Sequence, residues 1–80
     1  MRDIYTKPAN YIVPSDAVDF TQRYQAGERY FEGAQLAATS LFHGEYEGIN
    51  FRHANLAGTE LKEATFQRCD FSHSDCRQTS

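Results

Sequence analysis

A five-residue period runs through residues 29–79 and restricts what this chain can fold into. Steps of five from Phe31 reach Leu36, Leu41, Tyr46, Phe51, Leu56, Leu61, Phe66, Phe71 and Cys76, and all ten positions are apolar or cysteine. Two residues before each of these stand Arg29, Ala34, Thr39, Gly44, Ile49, Ala54, Thr59, Ala64, Cys69 and Ser74, nearly all neutral and most of them small. The other three positions of each repeat are mainly polar or glycine. A helix face recurs every three and four residues and a half-buried strand every two, so a sustained five fits neither. It fits a chain that turns a corner every five residues and points one large and one small residue inward from each short side. One such side cannot bury its own apolar face, so successive turns must stack.

Four sides per turn predict a coil of twenty residues, with like residues one above another. Phe31, Phe51 and Phe71 form one column, and Leu36, Leu56 and Cys76 a second. Leu41 lies over Leu61, and Tyr46 over Phe66. The small columns agree: Ala34, Ala54 and Ser74, then Thr39, Thr59 and Thr79. Ladders of like side chains suit neighbouring strands about 4.8 Å apart. Three or five sides per turn would mix phenylalanine with leucine in most columns.

The repeat resembles the pentapeptide-repeat family, whose pattern is Ala, then Asp or Asn, then Leu or Phe, then two variable residues. "ANLAG" at 54–58 matches it throughout, "AQLAA" at 34–38 and "ATFQR" at 64–68 match at the small and large positions, and "CDFSH" at 69–73 has cysteine in place of alanine. The resemblance implies an all-β solenoid over residues 28–80: a right-handed quadrilateral β-helix of about two and a half coils. Its central Leu or Phe and its small residue, including Ala64, would lie inside. Arg29 is too large and charged for an inward small site, so the first coil is expected to begin irregularly.

Residues 15–27 read as a short helix covering the N-terminal end of the stack, as terminal repeats require. Pro14 stops any earlier element, Ser15 is a suitable N-cap, and Gly27 suits the other end. Asp16 and Asp19 favour the positive end of the helix dipole. Val18, Phe20 and Tyr24 are its apolar side chains. Residues 1–14 are expected to be extended, with their Ile and Tyr residues along the solenoid or on a partner. Capping residues are not evident after Cys76, so the last coil's edge is expected to invite pairing, and a second copy could meet it end to end.

Composition narrows function mainly by exclusion. The net charge of −3 falls wholly within residues 28–80. Nucleic-acid binding through phosphates needs a clustered basic surface, which this is not. No apolar run approaches the ~20 residues of a membrane span. "MRDIYTKPAN" lacks the hydrophobic stretch of a signal peptide, so a cytoplasmic, reducing setting is expected. Two cysteines do not make a disulfide scaffold.

Candidate chemistry is thin. His53 and His73 stack on one outward column, with His43 on another side, but two ligands fall short of the four of a structural zinc site. Cys69, His73 and Cys76 match no common ligand spacing. Both cysteines fall on inward positions, where the residue acts as a small hydrophobe. Glu32, Arg52 and Ser72 share an outward column that places Glu32 to pair with Arg52. Glu60, Glu63, Asp70 and Asp75 make the last coils acidic. No nucleophile–base–orienter set and no glycine-rich phosphate loop stand out, and a filled solenoid has no internal pocket. The expectation is a non-catalytic interaction or scaffold module without cofactor or metal, with a protein partner, no nucleic acid and no membrane. Two alternatives stand beside it, the first raised by the resemblance and the second by Cys69, His73 and Cys76. Some pentapeptide-repeat proteins mimic DNA and bind type II topoisomerases such as gyrase. A weak metal or redox site in the C-terminal coil is the other.

Overall fold

A computed structural model describes residues 3–41 and 44–77. Within them the chain returns to its own side every twenty residues. Tyr30 pairs with Asn50, Gln35 with Asn55, Ser40 with Glu60, Asn50 with Asp70, and Asn55 with Asp75, all in parallel. One side is regular enough to form strands: β1 (Glu45–Glu47) lies parallel to β2 (Thr65–Gln67), with Tyr46 opposite Phe66. Amide-to-carbonyl bonds join the coils. The Phe31 and Phe51 amides donate to the carbonyls of Asn50 and Asp70 at 2.9 and 2.8 Å, and those of Asn50 and Asp70 donate back to Arg29 and Ile49 at 2.9 Å each.

Each corner is a tight turn with a left-handed residue. The amides of Ala34, Thr39, Ala54, Thr59, Ala64 and Ser74 donate to the carbonyls three residues earlier at 2.9–3.2 Å. The residue before each of these donors has positive φ in five turns besides that of Gly33: Ala38 (59°), His53 (60°), Gly58 (72°), Glu63 (61°) and His73 (61°). That combination is the signature of a type II turn, which needs φ above zero at its third residue. The second position of the repeat supports the corner. The side-chain oxygens of Asn50, Asn55, Asp70 and Asp75 each accept the amide two residues on, at 2.9–3.1 Å. These Asx turns explain why the repeat favours asparagine or aspartate there.

The interior is filled by the central and small residues. Phe31, Leu36, Phe51 and Ala34 are fully buried, and Leu41, Tyr46, Ala54 and Leu56 nearly so. Inward hydroxyls are satisfied by a turn carbonyl: buried Thr59 and part-buried Thr39 both donate to Leu36 O at 2.7 Å. The last coil departs from the inward expectation. Leu61, Phe66, Phe71 and Ala64 are only partly buried, and Cys76 is exposed. Their side chains are covered from one side only, since no described coil lies beyond them. Thr39 is also partly exposed, and Thr79 lies outside the described residues.

Helix α1 spans Ala17–Gln25, shorter than the expected 15–27. Its N-cap is Asp16, not Ser15: the Asp16 carboxylate accepts the Asp19 amide at 2.7 Å and adds a full negative charge at the positive helix end. The C-terminus closes as a Schellman motif around Gly27 (φ 104°), with Glu28 N–H donating to Arg23 O and Gly27 N–H to Tyr24 O, both at 3.0 Å. Phe20 is fully buried, its ring 4.8 Å from Phe31, 5.3 Å from Phe51 and 5.5 Å from Tyr46. Val18, another apolar side chain of the helix, is 67% exposed, because the helix turns its Ala17, Phe20 and Tyr24 face to the coils. Arg29 does not enter the interior. Its guanidinium lies 3.9 Å over the Tyr24 ring and bonds the carbonyls of Tyr24 and Glu28.

Candidate interaction surface

The N-terminal segment runs as a strap over the side that carries Tyr30, Asn50 and Asp70. Four bonds from its residues reach the coils. Tyr11 Oη donates to Glu32 O at 2.7 Å, and the Gln35 amide to Pro14 O at 2.9 Å. Asn50 Nδ2 donates to Ile4 O at 2.8 Å, and Tyr5 Oη to Asp70 Oδ2 at 2.8 Å. Tyr11 also meets Tyr30 edge-on at 4.9 Å. Asn50 is fully buried and wholly engaged, since Nδ2 also bonds Glu32 and Oδ1 takes the Arg52 amide. Hydrogen bonds from the Ser72 hydroxyl, the Ser72 amide and the Tyr5 hydroxyl hold the Asp70 carboxyl at a pKa of about 2. Burial pushes the Tyr11 hydroxyl well above its ordinary value.

The outward columns are ordered by the same register. His53 and His73 stack with ring centroids 5.1 Å apart and planes within 8°. Glu32 and Arg52 pair across coils at 3.8 Å, while Ser72, in the same column, turns to Asp70. Two acidic side chains are paired with arginine: Asp75 bonds Arg77 at 2.8 Å, and Glu47 bonds Arg68 at 3.1 Å. Cys69, His73 and Cys76 are not assembled into a site. The Cys69 thiol donates to Gln67 O at 3.4 Å, the Cys76 sulfur lies 3.3 Å from the Ser74 hydroxyl, and the His73 ring faces His53. No group of three or more metal-ligating side chains is found among the described residues. Burial raises the Cys69 pKa, the opposite of what an activated thiolate needs. His43 lies outside the described residues.

Sequence reasoning missed the roles of Asn50 and Asp70. Their local signal was present, since asparagine and aspartate before a turn accept the amide two residues on. Their second set of partners lies 46 and 65 residues away in the strap, and no spacing in the sequence encodes that. No described helix is long and apolar enough to cross a membrane.

A family model described as Pentapeptide repeats (8 copies) matches residues 47–80. No curated protein and no solved structure matches the chain.

Proposed function

From the pentapeptide repeats that residues 47–80 carry, we infer a non-catalytic protein-interaction or scaffold module. Its frame is a right-handed quadrilateral β-helix built by the repeats, with α1 covering one end and residues 3–14 strapped along one side. The observation that supports this best is the uniform twenty-residue register, which fills the interior with the chain's own side chains and fixes the outward residues in straight columns. Pentapeptide-repeat proteins are generally not enzymes.

The docking surface is the last coil, where Leu61, Phe66 and Phe71 are partly exposed while their counterparts one coil earlier are buried. A second copy stacking there would continue the aromatic ladders, in which Phe71 already lies 5.4 Å from Phe51 and Phe66 lies 5.1 Å from Tyr46. Sedimentation velocity should show a mass that rises with protein concentration, and Phe71→Lys should remove the rise. A monomer at every concentration would exclude self-association through this end. Asp70 and Asp75, two of the acidic residues near it, are engaged with tyrosine, serine and arginine, which favours this reading over DNA mimicry. Excess protein should accordingly leave gyrase supercoiling unchanged.

A further inference from the structure

A space of the size a small ligand needs lies outside the coils. It is found where the strap passes the end of α1: a groove of about 830 Å³. Small-molecule sites occupy roughly 300–1,000 Å³. Ile4, Tyr5 and Tyr24 give the groove apolar and aromatic lining, and Arg29, Arg68 and Glu47 give it charge. Two cations against one anion make it locally positive on a chain of net charge −3.

The two arginines are held differently. Arg29 is fixed against the Tyr24 ring, with Nη1 on two backbone carbonyls at 3.0 and 2.8 Å. Its guanidinium plane is therefore set before any ligand arrives, which lowers the ordering cost of binding. Arg68 pairs with Glu47, and the two side chains are 82% and 58% exposed. Exposed pairs of this kind contribute little, so an incoming carboxylate can replace that of Glu47 at small cost.

Gly48 keeps the groove open. It has φ +71°, and a Cβ added there would meet nothing within 4 Å. A side chain there would carry the left-handed strain that Arg68 (57°), one coil on, and Glu63 (61°) already carry. It would also project into the space that the groove occupies.

We propose that this groove binds a planar aromatic carboxylate, its ring against Ile4, Tyr5 and Tyr24 and its anion on Arg29 and Arg68. The site lies outside the coil interior and does not depend on self-association.

The test is an amide-shift NMR titration of the full chain with 2-naphthoate, alongside the neutral isostere 2-naphthylmethanol. Saturable shifts are expected at the Tyr5 and Gly48 amides, with roughly tenfold weaker binding of the alcohol. Gly48→Glu fills the groove and adds an anion, so it should abolish binding. Arg68→Gln changes a side chain that is mostly exposed, keeps the fold, and should weaken binding several-fold even where Gly48→Glu unfolds the protein. The absence of saturable shifts at millimolar naphthoate overturns the proposal. So does equal binding of acid and alcohol, and so does unchanged affinity in Arg68→Gln.

Discussion

Ala37 and Ala38 are adjacent, both exposed, and occupy the two central positions of one corner, yet the backbone asks opposite things of them. Ala38 sits at φ 59°, where a Cβ crowds the following carbonyl, at a cost of ~1–2 kcal/mol. Ala37 is not among the residues with positive φ. Ala38→Gly should therefore stabilise the protein by about 1 kcal/mol after the entropy of the added glycine is subtracted. Ala37→Gly should destabilise it by roughly 0.5–1 kcal/mol. In a domain of this size, 1 kcal/mol moves Tm by about 4–8 °C, so thermal melts of the two variants should shift in opposite directions. Shifts of the same sign would show that the corner is not a type II turn. The same logic explains why the repeat tolerates histidine, glutamate and arginine at this position: once the turn bond and the coil-to-coil bonds are made, they outweigh the strain of one left-handed residue.

At the scale of the element, α1 buries one side chain completely, while Ala17 and Tyr24 pack partly against the same core. Phe20 closes against Phe31, Phe51 and Tyr46, whereas Val18, two residues away, faces solvent. Phe20→Ala should cost ~3–5 kcal/mol, the range for deleting a buried phenylalanine. Val18→Ala should stay within about 0.5 kcal/mol. Denaturant melts compare the two, and hydrogen exchange should show the amides of Phe31 and Leu36 losing protection first in Phe20→Ala. Equal effects would mean that the helix does not cover the stack. The helix's extent was legible from Pro14 and Gly27, and its N-cap was misplaced by one residue because Ser15 and Asp16 are both good caps. Which apolar residue turns inward was not legible, since the helix is too short for a periodic face to separate Val18 from Phe20.

The whole molecule is fastened by the strap, and that fastening depends on pH. The folded-state pKa of Asp70 is depressed to about 2 from 3.8, so its contribution to stability is present above pH ~4 and is lost as pH falls through ~2. Ser72 is the larger cause and Tyr5 the smaller. A carbon-detected NMR titration of the Asp70 carboxyl should show its midpoint rising in Ser72→Ala and rising less in Tyr5→Phe. An Asp70 midpoint unmoved by both variants would show that neither bond forms in solution.

The five-residue period was enough to give the coil length, the columns and the identity of the inward residues over the first coils, because burial repeats with the chain's own geometry and leaves a local trace in residue type. The departures at Leu61, Phe66, Phe71 and Cys76 follow from what covers each residue, which a repeat cannot express: Phe31 is buried under Phe20 of α1, whereas those four are covered by described residues from one side only. The strap and the groove beside it lay beyond reach for a related reason. The carbonyl of Ile4 meets Asn50 and the hydroxyl of Tyr5 meets Asp70 across 46 and 65 residues of chain, and such pairings arise only after the coils have stacked and brought a side of the correct height beneath the N-terminal segment.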